Sequence, residues 1–266
     1  MGFMIFERTS KGVIPTVKGT RFLAYAKNIL TQIEKMEALA DESISQSLSF
    51  AFSRSAYMAK AVSKFALDFD YSSKVRMNIR ESASVALINS IAAGAFNFGA
   101  VRYKLAYEKY FLDYIADKEL DVIPFWEFDS MITMPKRYGT MDIKTDDLSL
   151  SSMTSIVYGD ETIPYLSSAD TRKESKIPVS NQSVSVYDRA TANELLTALP
   201  NAYMLTEPYP RTELEKYGLV QKKCDIPGER FKDVLIFSKG YQFSSSDKKF
   251  FDILTQIKNE MEFEYR

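Results

Sequence analysis

Residues 17–43 constrain the chain most strongly. Phe22, Ala26, Ile29, Ile33, Met36 and Ala40 recur at alternating spacings of four and three. That places them in one stripe along a helix, the pattern of a helix packed lengthwise against another. At 1.5 Å per residue the helix would run roughly 40 Å, longer than a single lobe needs. Amphipathic helices ordinarily pack on their own domain. Here the length and the heptad-like spacing favour a second helix of like kind, so the expectation is a homodimer through this stripe, or a tetramer built on it. Just upstream, two short apolar runs flank Thr9-Ser10-Lys11-Gly12, a β-hairpin pattern in which Gly12 supplies the positive φ of the turn. Thr16 stands where an N-cap hydroxyl would meet the first open amides of the helix.

Beyond Ser43, apolar runs alternate with helical patterns. Leu48–Phe52 reads as a strand, and a helix follows from Ser53-Arg54-Ser55 with Met58, Ala61, Val62, Phe65 and Leu67 on its apolar face. Lys74–Ile79 is a second strand, a helix opening near Ser84 buries Leu87, Ile88 and Ile91, and Phe98–Val101 is a third strand leading to Arg102. This β-α-β-α-β order predicts parallel strands with ligands at their carboxyl ends. The stripe Tyr107, Tyr110, Phe111, Tyr114 reads as core or interface rather than as a ligand box. Ser130–Met134, Ser155–Tyr158, Val184–Tyr187 and a helix over 190–198 build a second lobe. Val234–Phe237 returns from it, and a last helix over 246–261 presents Phe250, Ile253, Leu254 and Ile257 to the first lobe. Two crossings between lobes make a hinged pair with a cleft.

Composition removes several classes of chemistry. The 266 residues include no histidine, which excludes Ser-His-Asp and Cys-His catalysis and leaves zinc a poor ligand set. No glycine loop for a nucleotide and no metal-ligand spacing is present, so no enzyme, catalytic residue, metal or cofactor is expected. Cys224 is the only cysteine, which suits a reducing compartment. Met1 is followed by hairpin residues and not by a signal-peptide pattern, and no uncharged apolar run reaches the ~18 residues of a membrane helix. The expected location is cytoplasmic, without a membrane partner. The net charge is −1, yet the first 21 residues hold Arg8, Lys11, Lys18 and Arg21 against Glu7 alone, a local +3. That charge suits phosphate contacts and equally an ordinary solvated face.

Phe6-Glu7-Arg8-Thr9-Ser10-Lys11-Gly12-Val13, then Pro15-Thr16-Val17-Lys18-Gly19, then Ala26-Lys27-Asn28-Ile29-Leu30 resemble the wing and linker helix of LysR-type transcriptional regulators. The remaining chain resembles the effector-binding region of that family. The resemblance implies an α/β protein of two Rossmann-like lobes of the type II periplasmic-binding-protein kind, preceded by a wing hairpin and a long linker helix. The implied division is a remnant wing at 1–16, a linker and dimerisation helix at 17–45, a first effector-binding subdomain at 46–126 and 238–266, and a second at 127–237. One departure is Leu199-Pro200-Asn201-Ala202-Tyr203, where the family shows a glycine pair; Asn201 can take the left-handed conformation instead. In the family, three helices with the helix-turn-helix precede the wing, whereas this chain opens on it. The expectation is therefore a regulator portion without its recognition helix, with Arg8 and Lys11 on the DNA backbone and at most weak, salt-sensitive DNA binding.

The resemblance also marks a site. Ser55, Ser84 and Arg102 match positions that contact small effectors in the family, where the effector is often a carboxylate. Two helix amino termini and a guanidinium would together form an anion pocket. Each residue has a plainer role too: the serines as N-caps, Arg102 as the partner of a surface carboxylate such as Glu108. Gly159, Asp160 and Thr162 are the candidates from the second lobe, and an inward Asp160 would favour an amino-acid-like zwitterion over a simple anion. The function expected is ligand sensing by a transcriptional regulator whose partners are DNA, a small carboxylate-bearing effector and a second copy of the chain. A transporter's solute-binding protein, which shares the two-lobed fold, is the alternative.

Overall fold

The hairpin predicted at the amino terminus forms: β1 (Phe6–Thr9) pairs antiparallel with β2 (Gly12–Pro15), Phe6 opposite Pro15 and Thr9 opposite Gly12. Gly12 has φ 121°, which an L side chain would resist. The computed structural model describes residues 2–9, 12–19, 44–72, 74–139, 148–167, 182–224 and 228–265, together with Phe22, Leu23, Tyr25, Ala26, Ile29, Ile33, Ser180 and Ile226. Lys11, Met36 and Ala40 of the expected wing and seam lie outside the described residues. Residues 17–19, 22, 23, 25, 26, 29 and 33 have α-helical backbone, in keeping with the expected linker helix. Thr16 caps it: the Gly19 N–H donates to Thr16 Oγ1 at 2.9 Å, and that hydroxyl donates to the Met4 carbonyl at 2.8 Å. Gly19 is itself required, because a Cβ there would lie 1.8 Å from the Ile5 carbonyl oxygen. Phe3 meets Phe22 edge to face at 6.2 Å, so the segment leading into the hairpin is seated on the start of the helix.

The first lobe is a five-stranded sheet ordered β4-β3-β5-β12-β6, from β3 (Ile44–Ser53), β4 (Lys74–Ser82), β5 (Phe98–Lys104), β6 (Leu120–Asp129) and β12 (Arg230–Ser238). As predicted, β3 runs parallel to both β4 and β5; β12 is antiparallel to β5 and β6. Phe50, Ala51 and Phe52 of β3 are all buried, as expected of a central strand covered on both faces. On one face lie α1 (Ala56–Leu67) and α7 (Ser245–Glu264), joined through Phe65, Phe250, Leu254 and Ile257. On the other lie α2 (Ser84–Ala92) and α3 (Glu108–Asp117), through Leu87, Ile88, Phe111 and Ile115. Helix α7 starts at a capping box: the Asp247 N–H donates to Ser244 Oγ, and Asp247 Oδ2 accepts from the Ser244 N–H at 2.8 Å. That pairing satisfies two open amides at once.

The second lobe is also five-stranded, ordered β11-β7-β10-β8-β9. It comprises β7 (Met131–Pro135), the short α4 (Leu148–Ser151), β8 (Thr154–Tyr158), β9 (Gln182–Val186), α5 (Arg189–Ala198), β10 (Ala202–Thr206), α6 (Arg211–Tyr217) and β11 (Leu219–Lys223). Asn201 takes φ 57°, the left-handed turn expected of it, and Tyr203 fits behind that turn as a buried core residue of β10.

The boundaries between lobes differ from those expected at 126/127 and 237/238. Ladders from Arg230 to Ser238 tie β12 to β6 and β5, and Trp126, Phe128, Leu235 and Phe237 belong to the first lobe's core. The crossings therefore fall at Ser130 and between Lys223 and Arg230, where the Ser130 N–H donates to the Glu229 carbonyl and the Cys224 N–H to that of Ser130. Burial of these aromatics, which sequence pattern cannot assign to one lobe or the other, sets the division. Substituting Gly19→Ala is expected to detach the hairpin while leaving both lobes intact. The strain, of order 1–3 kcal/mol, should appear as faster proteolysis within residues 5–15 at an unchanged melting temperature of the lobes.

Candidate functional site

Between the lobes lies a cavity of ≈ 750 Å³, within the range of small-molecule sites. Eight aromatic residues line it: Tyr103, Tyr107, Phe111, Phe128 and Phe231 from the first lobe, Tyr158, Tyr203 and Tyr209 from the second. Six charged residues also line it, namely Arg54, Arg102, Lys104, Glu161, Glu207 and Glu229.

Arg102, near the carboxyl end of β5, has every guanidinium N–H engaged. Nε and Nη2 hold the carboxylate of Asp233 at 2.8 Å each, Nη1 reaches Glu207 Oε2 at 2.7 Å and the Arg54 carbonyl at 3.3 Å, and Nη2 also reaches Ser55 Oγ at 3.4 Å. Asp233 sits opposite Arg102 on β12 and is fully buried. Burial opposes the positive charge, but the carboxylates of Asp233 and Glu207 outweigh it, so Arg102 stays protonated above its ordinary range. Tyr57 adds a hydrogen bond of 2.6 Å to Asp233 Oδ2. Burial first and Asp233 second keep that phenol protonated well above its usual range.

Glu207 comes from the other lobe, directly after β10. Its Oε1 accepts from the Ala56 N–H at 2.7 Å, so a carboxylate of the protein itself occupies the amino terminus of α1. Ser55 caps the same helix, accepting from the Met58 N–H. At α2, the Ser84 N–H donates to Glu161 Oε2 at 3.4 Å, while the Ser84 hydroxyl donates to the Arg102 carbonyl at 2.6 Å. Arg54 crosses the cleft as well, to Asp160 at 2.7 Å, Glu161 at 3.1 Å and the Tyr187 carbonyl at 2.7 Å, with its guanidinium 4.4 Å from the Tyr158 ring centre. Beside the cavity, Arg189 pairs with Glu81 across the lobes at 2.9 Å.

Of the residues predicted for the site, Ser84, Arg102 and Thr162 line the cavity. Ser55 is buried behind it as a cap, Asp160 is drawn to Arg54, and Gly159 packs against Tyr187. The geometry corrects the expected anion pocket: Arg102 has no donor left for a ligand carboxylate, and the α1 terminus is filled by Glu207. Glu108, suggested as a partner of Arg102, instead pairs with Lys232 at 2.9 Å. Sequence reasoning missed Arg54, Glu161, Glu207 and Glu229. Their only signal was position, Arg54, Glu207 and Glu229 each adjoining a strand end and Glu161 in the loop after β8. Of the expected aromatic stripe, Tyr107 and Phe111 are core and also form cavity wall, Tyr114 packs at the core's margin and Tyr110 is exposed. Among the described residues, no cluster of three or more metal-ligating side chains occurs and no helix is long and apolar enough to cross a membrane.

Removing Arg102 would leave Asp233 and Glu207 buried without their counter-charge. Arg102→Met is expected to cost about 3–5 kcal/mol in urea unfolding; a loss under ~1 kcal/mol would mean that the buried network contributes little.

No protein-family model matches the chain, and no curated protein matches it. Solved structures do. The chain is similar to full-length CbnR in complex with its target DNA, with a TM-score of 0.56 at 14% identity, covering 98% of this chain and 85% of that one. It is similar to a cysteine mutant of OxyR from Corynebacterium glutamicum, with a TM-score of 0.53 at 18% identity over 98% and 80% of the two chains. It is also similar to a point mutant of full-length BenM, with a TM-score of 0.53 at 14% identity over 97% and 83%. CbnR is a LysR family transcriptional regulator. Coverage of this extent takes in hairpin, helix and both lobes, so the chain has the fold of these regulators: a wing-like hairpin and linker helix ahead of a two-lobed α/β domain.

Proposed function

We propose that this chain is a ligand-sensing transcriptional regulator of the LysR type, in which a small molecule held between the lobes biases their relative angle and the linker helices pass that bias to DNA-bound heads. The observation that carries the reading is the fold likeness to DNA-bound CbnR across 98% of the chain, hairpin and linker helix included. A solute-binding protein of a transporter would need only the two lobes. The cavity between them supports the sensing role, and its ordered cross-lobe ion pairs supply contacts that a ligand would strengthen or exchange. Arg8, exposed on β1, and the local +3 charge of the first 21 residues support a DNA-backbone role for the hairpin. Effector contacts are assigned to Ser84 and Thr162 in the cavity wall, with Arg102, whose donors are all engaged, and Ser55, Gly159 and Asp160 holding that wall in place.

Self-association follows from the stripe on the linker helix. Ile29 and Ile33 of that stripe are 60% and 44% exposed in the single chain, as seam residues that meet a second helix would be.

Two measurements test these statements. Immunoprecipitation of the native protein from cross-linked source cells is expected to recover discrete promoter-proximal loci; recovery indistinguishable from random genomic DNA would overturn the regulator reading. By light scattering at micromolar concentration the chain is expected to be a dimer or tetramer that Ile29→Asp with Ile33→Asp converts to monomer. A monomeric unmodified chain would sink the seam as an interface.

A further inference from the structure

The charges around the interlobe cavity do not balance. Arg54, Arg102 and Lys104 face Asp160, Glu161, Glu207, Asp233 and Glu229, all within direct ion-pair networks at the cavity. Among the residues that line the cavity three cations meet three carboxylates, and Asp160 and Asp233, which pair with Arg54 and Arg102 from behind the wall, bring these networks to three cations against five carboxylates. The position that would receive a ligand carboxylate, at the α1 terminus beside Arg102, is already held by Glu207. A second anion brought there would lie against Glu207 and Asp233 with no free donor on Arg102.

Glu229 shows the complementary deficit. Its side chain is 5% exposed, Oε1 accepts from Lys104 Nζ at 2.6 Å, and Oε2 is buried with no hydrogen-bond partner among the described residues. A buried carboxylate oxygen left unpaired is costly; Oε2 is closed to solvent, so a donor of positive charge relieves it once the Glu229 side chain turns toward the cavity it lines. The rings around the cavity favour the same sign. Arg54 lies over Tyr158 at 4.4 Å, Arg102 over Phe128 at 4.9 Å and Lys104 over Phe231 at 5.8 Å, so the protein already uses these walls to host cations.

Building on the reading of this cavity as the effector site, we propose that it takes an aromatic organic cation, a protonated amine on a ring-bearing body, with Glu229 as the anchor, and that it discriminates against carboxylates. The aromatic walls cover the ring, the excess negative charge selects the ammonium, and Glu207 excludes an acid from the α1 terminus.

A matched pair of probes tests this on the full 266-residue chain at pH 7: 2-phenylethylamine, and 3-phenylpropionate as its acid counterpart, by titration calorimetry and thermal shift. The amine is expected to bind at least about tenfold more tightly than the acid. Glu229→Gln, which keeps the shape of the side chain and removes its charge, is expected to weaken the amine by about tenfold without weakening the acid; it also lowers the melting temperature of the free protein through loss of the Lys104 pair, so binding is read well below that temperature. Lys104→Met should act in the opposite direction, because it frees Glu229 for the ligand. Equal or tighter binding of the acid, binding of neither probe, or amine binding that ignores both substitutions overturns the proposal. Any of these results alongside discrete genomic loci in the immunoprecipitation removes the ligand class and leaves the regulator reading standing; loss of the loci removes the regulator reading whatever binds in the cavity.

Discussion

Both lobes depend on how the charge of Arg102 is satisfied. A guanidinium at a strand end under a second lobe loses most of its hydration, and the loss is tolerable only when every donor finds an acceptor. Here the five N–H groups meet Asp233, Glu207, the Arg54 carbonyl and Ser55 Oγ. Asp233 is supplied by the neighbouring strand of the same sheet, Glu207 by the opposite lobe. Two carboxylates on one guanidinium leave an excess negative charge, which the Tyr57 hydroxyl and the Ala56 amide at the α1 terminus take up. The arrangement is satisfied only with the lobes together.

The same logic recurs around the cleft. Arg54 gathers Asp160 and Glu161 from the second lobe, and Arg189 reaches back to Glu81 in the first. Each of the two first-lobe helix termini at the cavity accepts a second-lobe carboxylate, Glu207 at α1 and Glu161 at α2. Apolar contact is present as well, with Ile163 and Leu166 packed on the core beneath α2 and α3. Apolar contact holds the lobes near each other, whereas the ion pairs fix their angle, because hydrogen-bond geometry is directional and burial is not. An interface of that kind suits a hinge: exchanging a few polar partners changes the angle at little cost in buried area.

Much of the fold was legible in the chain itself. Hairpin, capped linker helix, the three parallel strands β3, β4 and β5, the left-handed Asn201 and the closing helix α7 follow from local rules of turn chemistry, capping and apolar period. The site was legible only in part. Ser84 and Arg102 do meet at the cavity, since a β-α-β order sends strand ends and helix starts to one edge. Their partners were not visible, because Glu207 and Asp233 lie 105 and 131 residues from Arg102 in sequence. A lone glutamate after a strand looks the same whether it faces solvent or fills a helix terminus.

The sequence by itself determined the elements and their order, and through them the fold: periodicity, caps and turn residues act over a few residues and read directly. It also determined that these 266 residues hold no histidine and can form no disulfide with one another. Only the tertiary structure decided where the lobes divide, since Trp126, Phe128 and the β12 residues choose the core that buries them. Only it decided the character of the cleft. The sequence suggested an anion pocket from two helix termini and an arginine, and folding filled that pocket with the protein's own carboxylates, because charges distant along the chain pair according to the space they share.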